Sequence, residues 1–155
     1  KSAGGTERLM ILFGQNLKRE YLNLMGADGF EQLFLFKGKV KSVYDGDSLR
    51  ADIDLCFGIN LQNQAIRVHG IDTPEMRGKG VSPKEKVLAK AARDRVKELI
   101  GKSFWLESLD GGKKDKYGRI LANIYTVKGL DLAKTLIEEG HAVAYDGGKK
   151  THKWT

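Results

Sequence analysis

From Leu49 to Leu55 every second residue is apolar: Leu49, Ala51, Ile53 and Leu55 alternate with Arg50, Asp52 and Asp54. A period of two places the apolar set on one face of a β-strand and the charged set on the other. A strand of this kind needs hydrogen-bonding neighbours and a layer covering its apolar face, so the rest of the chain must supply both. Leu33 to Tyr44 reads as the strand before it, ending at the turn signal Asp45-Gly46-Asp47. Gly58 to Asn60 permits a hairpin, after which Leu61 to His69 returns as a third strand.

Beyond these strands, Ser82-Pro83-Lys84-Glu85 has the form of a helix start, a capping-box pair with proline at the first helical position. Leu88, Ala92, Val96 and Leu99 then give the helix an apolar face, and Gly101 ends it. Phe104 to Leu109 and Arg119 to Val127 read as two more strands around the polar loop 110–117. Residues 131–139 form a short helix closed by Gly140, and Ala142 to Tyr145 is extended. Five strands, with a helix after the third and another at the end, predict a mainly β, α+β fold: a five-stranded OB-type barrel with packed helices. An extra N-terminal helix is expected over residues 6–25, where Leu9, Phe13, Leu17, Tyr21 and Leu24 recur at helical spacing. The chain thus divides into a helical extension (1–32), a barrel domain (33–146) and a basic tail (147–155).

Charge narrows the partners. The formal net charge of the 155 residues is +7. Residues 1–36 are neutral, with Lys1, Arg8, Lys18 and Arg19 against Glu7, Glu20, Asp28 and Glu31, so the whole excess lies on the barrel and tail. A moderate basic excess beside paired acids favours a polyanion as substrate. Cys56 is the single cysteine, which rules out an internal disulfide and leaves the redox compartment open. No apolar run is long enough to span a membrane, and none reads as a signal-peptide core. Localisation, cytoplasmic or secreted, stays open.

The stretch Arg67-Val68-His69-Gly70-Ile71-Asp72-Thr73-Pro74-Glu75 concentrates chemistry. Gly70 frees φ, Pro74 fixes it, and Thr73 is pushed into an extended conformation, so Asp72 and Glu75 sit on a rigid turn just past a strand. Two acids and a guanidinium held this way suit a metal ion and a phosphate, whereas the bland reading is a polar turn whose Asp caps the backbone. Asp45-Gly46-Asp47 is not an EF-hand, because Cys56 falls where a bidentate Glu is required and Arg50 where Gly is required; taken alone it is a strand-to-strand turn. Asp52 and Asp54 fall on the solvent phase of their strand. Asp115-Lys116-Tyr117-Gly118-Arg119 offers two cations and an aromatic to a phosphate or nucleotide, or else forms a solvated loop. His69, His141, His152 and Cys56 fit no zinc spacing, and Lys149 to Trp154 suits contact with a nucleic-acid backbone but reads more readily as a solvated tail.

The ordered set Asp45-Gly46-Asp47-Ser48, Arg67 through Asp72-Thr73-Pro74-Glu75, and Asp115-Lys116-Tyr117-Gly118-Arg119 resembles the staphylococcal nuclease (thermonuclease) family over residues 34–146. The resemblance implies a Ca²⁺-dependent nuclease acting on DNA and RNA. It cleaves on the 5′ side of the phosphate to leave 3′-phosphates, with little sequence preference. It implies that Asp47, Asp72 and the Thr73 carbonyl hold Ca²⁺, that Glu75 positions or deprotonates the attacking water, and that Arg67 and Arg119 grip the scissile phosphate. Lys116 and Tyr117 would contact a neighbouring phosphate or sugar, and Tyr145 the nucleotide. Gly147 stands where the family often has a second tyrosine. The alternatives are a non-catalytic nucleic-acid or peptide-binding OB module, and an assembly protein that associates through its N-terminal helix.

Overall fold

The computed structural model describes residues 35–154. The helix expected over 6–25, the extension 1–32, the first two residues of the first predicted strand, and Thr155 lie outside the described residues.

Three strands run as a meander: β1 (Leu35–Asp45), β2 (Ser48–Asp54) and β3 (Asn60–Val68). A two-residue strand β4 (Ile71–Asp72) follows, then helix α1 (Pro83–Ile100), β5 (Ser103–Ser108), β6 (Ile120–Thr126), helix α2 (Leu132–Glu138) and a second two-residue strand β7 (Val143–Ala144). The five longer strands close into a barrel in the order β1-β2-β3-β6-β5, with β5 pairing back to β1. Closure removes the free edges that an open sheet of this size would expose. All the pairings are antiparallel except β3 with β6, which is parallel with Ile66 opposite Ile120 and Arg67 opposite Leu121.

The alternation from Leu49 holds: Leu49, Ala51 and Ile53 are buried in the barrel with Ile66, Val68, Phe104, Leu106, Ile120, Ala122 and Ile124, and Leu55 packs against them half-buried. Asp52 departs from its expected solvation. It accepts the Asn63 N–H at 2.8 Å and pairs with Lys41 at 2.9 Å, holding the register shift where β3 bends with Asn63 at φ 49°. Asp54 stays exposed and caps the hairpin through the Cys56 N–H.

α1 begins where its sequence says. Ser82 accepts the Glu85 N–H at 3.0 Å and Pro83 occupies the first turn. Its buried stripe is Ala89, Ala92, Val96 and Ile100, whereas Leu88, expected inside, is exposed. The small residues decide the rotation, because two alanines let the helix backbone approach the barrel more closely than a leucine would. The approach is tightest at Gly46: a Cβ there would lie 2.8 Å from Thr73 Cγ2 and 3.1 Å from Ala92 Cβ. The turn between β1 and β2 therefore tolerates no side chain at this position, and α1 presses it against the Asp72–Thr73 segment. β4 and β7 form a separate ribbon, with Ile71 opposite Ala144 and Asp72 opposite Val143, which carries the C-terminal tail to the same end of the barrel.

Candidate active site

Gly46 and Asp47 turn the chain from β1 to β2, and this turn is not the solvated one its composition allows. Asp47 is 6% exposed and Asp45 9% exposed. Asp45 Oδ1 accepts the Met76 N–H at 3.1 Å, and Asp47 Oδ2 accepts the Thr73 N–H at 3.2 Å, so both acids are tied to the segment after β4. Ser48 donates to Asp47 Oδ1 at 2.8 Å. Burial holds the Asp45 carboxyl above its ordinary value despite the Met76 N–H, and the negative charges of Asp47 and Glu75 push the same way.

Arg67, near the end of β3, lies in the middle. It is 8% exposed, and its guanidinium reaches Asp47 Oδ2 at 3.1 Å and Asp72 Oδ1 at 3.8 Å. It also donates to the backbone carbonyls of Val68 at 3.0 Å, Ile71 at 2.8 Å and, more distantly, Asp47 at 3.5 Å. A buried guanidinium needs acceptors for its donors; three backbone carbonyls supply them, and the two carboxylates balance its charge. Asp72 Oδ1 is itself buried, accepts no aligned hydrogen bond and faces two cations, Arg67 and Lys150. The Thr73 hydroxyl is buried without a partner.

Glu75 follows Pro74 at the rim. Its backbone N–H donates to Glu85 Oε1 at 3.2 Å, so the acidic partner of the capping box turns to the site loop, where the motif would have it return to the helix start. The Glu75 carboxylate receives Lys150 Nζ at 2.7 Å, and the same ammonium lies 2.7 Å from Asp72 Oδ1.

The loop before β6 carries the second cation set. Asp115 organises it: Oδ1 accepts the N–H groups of Tyr117 and Arg119, both at 2.9 Å, and Oδ2 accepts Arg119 Nε at 2.9 Å, with Nη2 at the same distance. Burial raises the Asp115 carboxyl, but these donors together outweigh it and hold the group below its ordinary value. Tyr117 is 70% exposed, with Lys116 Nζ 5.1 Å and the Arg119 guanidinium 5.2 Å from its ring centre. Arg119 precedes the strand that it was expected to open, and the parallel register sets it two positions before Leu121, the partner of Arg67.

Tyr145, just past β7, donates its N–H to the Gly70 carbonyl at 2.9 Å and its hydroxyl to the Gly148 carbonyl at 2.7 Å. A groove runs from Asp72 past Tyr145 to Lys149, Lys150 and His152. The structure thus joins Asp47, Arg67, Asp72, Thr73 and Glu75 through one network of ion pairs and hydrogen bonds, sets Tyr145 with Asp72 in the groove, and gives Lys116, Tyr117 and Arg119 a shared loop. Asp45, Glu85, Asp115 and Lys150 lie in motifs that the sequence marks, but the sequence gives none of the four a role in the site. For Asp115, the spacing of four to Arg119 was the available signal.

Among the described residues, no group of three or more His, Cys, Asp or Glu side chains is arranged to hold a metal ion. The histidines and Cys56 lie apart: Cys56 is exposed, His69 pairs with Asn123 at 3.2 Å, His141 lies near the Glu139 carboxylate, and His152 packs against Trp154. Two buried carboxylates and the neighbouring backbone carbonyl offer oxygen only, which suits a hard cation that completes its shell with water. The Lys150 ammonium lies against Asp72 and Glu75, so a positive charge of the chain itself meets both acids.

The family model described as "Staphylococcal nuclease homologue" matches residues 65–154, from β3 onward, so Asp47 lies before the matched segment. Endonuclease YncB of Bacillus subtilis (strain 168) is 35% identical over 105 residues, covering 65% of this chain and 44% of that protein. The SPbeta prophage-derived endonuclease YokF of the same organism is 36% identical over 105 residues, covering 65% and 32%. An uncharacterized protein of Bacillus anthracis is 32% identical over 107 residues, covering 69% and 46%. The chain spans less than half the length of each of these relatives.

Proposed function

Because the chain belongs to the staphylococcal nuclease homologue family, we propose that it is a Ca²⁺-dependent nuclease that hydrolyses DNA and RNA to 3′-phosphates with little sequence preference. One observation supports this reading above the others. Asp47 and Asp72 come from separate motifs and converge on one buried arginine at 3.1 and 3.8 Å, with Glu75 at the rim. A solvated turn has no need of such burial.

In this reading Asp47, Asp72 and the Thr73 carbonyl hold Ca²⁺, which when bound polarises a phosphoryl oxygen. Glu75 takes the proton of a water as its oxygen attacks phosphorus. The bond from phosphorus to the 5′ oxygen breaks, the phosphate stays on the 3′ end, and the departing oxygen takes a proton from solvent water while Glu75 releases its own to solvent. Arg67 and Arg119 present N–H groups to the phosphate oxygens as charge builds there. Lys116 and Tyr117 meet the adjoining phosphate and sugar, and Tyr145 the nucleotide. In this reading the contacts fall on phosphate and sugar, so little sequence preference is expected.

The test is nicking of supercoiled plasmid in Ca²⁺, Mg²⁺ or EDTA. Ca²⁺ should support cleavage and Mg²⁺ should support it poorly, because Mg²⁺ demands near-octahedral geometry and gives up water reluctantly. Full activity in EDTA, or equal rates with the two metals, would remove the Ca²⁺ assignment. Nucleic-acid binding without nicking under any metal would favour the non-catalytic binding module.

A further inference from the structure

β7 leaves the barrel beside Asp72, and the residues after it, although exposed, turn back to line a groove with Asp72. Gly148 N–H donates to Asp146 Oδ1 at 2.9 Å, and the Tyr145 hydroxyl holds the Gly148 carbonyl at 2.7 Å. Gly147 bends the chain at φ 93°, a conformation that a tyrosine at this position would resist. The resulting turn returns the tail over the site and sets Lys150 Nζ 2.7 Å from both Asp72 Oδ1 and Glu75 Oε1. The side chain of Asp72 is only 5% exposed. Reaching it from a tail requires directed delivery, which a solvated lysine does not have.

We propose that Lys150 is a further site residue, the counter-ion of Asp72 and Glu75 in the metal-free protein, and that metal binding displaces it together with the tail. The proposal rests on the reading of Asp47 and Asp72 as metal ligands. The geometry forces a choice between cations. Ca²⁺ binds carboxylate oxygens at about 2.3–2.6 Å, close to the distance at which the ammonium already holds Asp72 Oδ1, so the two would contend for one oxygen and repel each other. The same ammonium occupies Glu75, the group proposed to take a proton from water, so the tail covers a ligand and the base together. Two different roles for the acids are thereby kept neutralised by a single side chain until an ion arrives.

Displacement has a measurable cost. When only a fraction of molecules is competent to bind, the apparent dissociation constant rises by the inverse of that fraction; a contact formed in about nine molecules of ten weakens the apparent affinity about tenfold. The experiment is calorimetric titration of the full chain with Ca²⁺ in the absence of nucleic acid. Lys150→Met should bind Ca²⁺ about tenfold or more tightly than the parent protein, and Lys150→Arg, which retains a cation able to span both acids, should stay near the parent. Tyr145→Phe keeps every charge and frees Gly148, so it should tighten binding by a smaller factor. A second readout follows the tail itself. In a Trp105→Phe background Trp154 is the remaining tryptophan, and its emission should change along the same Ca²⁺ isotherm. Equal Ca²⁺ affinity in the parent and Lys150→Met, with a silent Trp154, overturns the displacement while leaving the metal site standing. Absence of Ca²⁺ binding in every variant overturns both.

Discussion

Arg119→Lys is expected to lower kcat by about 100-fold or more, equivalent to about 2.7 kcal/mol of lost transition-state stabilisation. Asp115 already moors the guanidinium through Nε and Nη2, both at 2.9 Å, so the planar group is oriented before substrate arrives. A lysine keeps the charge but cannot bond to Asp115 and a phosphate through a fixed fork. KM should change less, because the basic surface still attracts the polyanion. The mooring also survives mild acid. A carboxyl held low contributes its stability above the ordinary carboxylate range and loses it only as pH falls through the depressed value. Steady-state kinetics on single-stranded DNA at saturating Ca²⁺, after circular dichroism shows the variant folded, decides the matter. A kcat within about threefold of the parent would refute the phosphate clamp.

Arg67 behaves differently under the same reasoning. It is buried between two carboxylates, so Arg67→Met should destabilise the metal-free protein by about 3–5 kcal/mol as well as abolish cleavage. Lys150 remains beside Asp72, but Asp47 loses the cation at 3.1 Å and stays buried. Urea unfolding in EDTA measures the loss, and adding Ca²⁺ should restore part of it by supplying positive charge to the same oxygens. A change below about 1 kcal/mol in EDTA would show that Arg67 is not the electrostatic keystone of the pocket.

Periodicity and punctuation made the barrel legible. The alternation from Leu49, the hairpin after Asp54 and the Ser82-Pro83 start each rest on local rules, and each is where those rules put it. The rotation of α1 was not legible, because Leu88 and Ala89 compete for the same face and only the close approach at Gly46 favours the alanine. The grouping of Asp47, Arg67 and Asp72 could be read from ordered motifs, but their burial could not, since Asp-Gly-Asp is equally good chemistry for an exposed turn. Lys150 was unreadable for a different reason. It meets Glu75 across 75 residues of chain, and the tail's basic composition describes solvation just as well as contact. Asp52 was misjudged because alternation assigns a face and is blind to a bend in the neighbouring strand.

The parallel pairing of β3 with β6 has a consequence for the order in which the candidate site is completed. β1, β2 and β3 form a meander of short-range contacts, which chain entropy allows to assemble early. β6 can join β3 only after α1 and β5 have been laid down, a long-range closure that is intrinsically slow. Asp47 and Arg67 belong to the early part; Arg119 arrives with the late one, and Asp72 sits in β4, whose partner β7 comes later still. Under the proposed function, recovery of cleavage after dilution from denaturant should therefore lag behind recovery of the meander's secondary structure, and equal rates of recovery would refute this order of assembly.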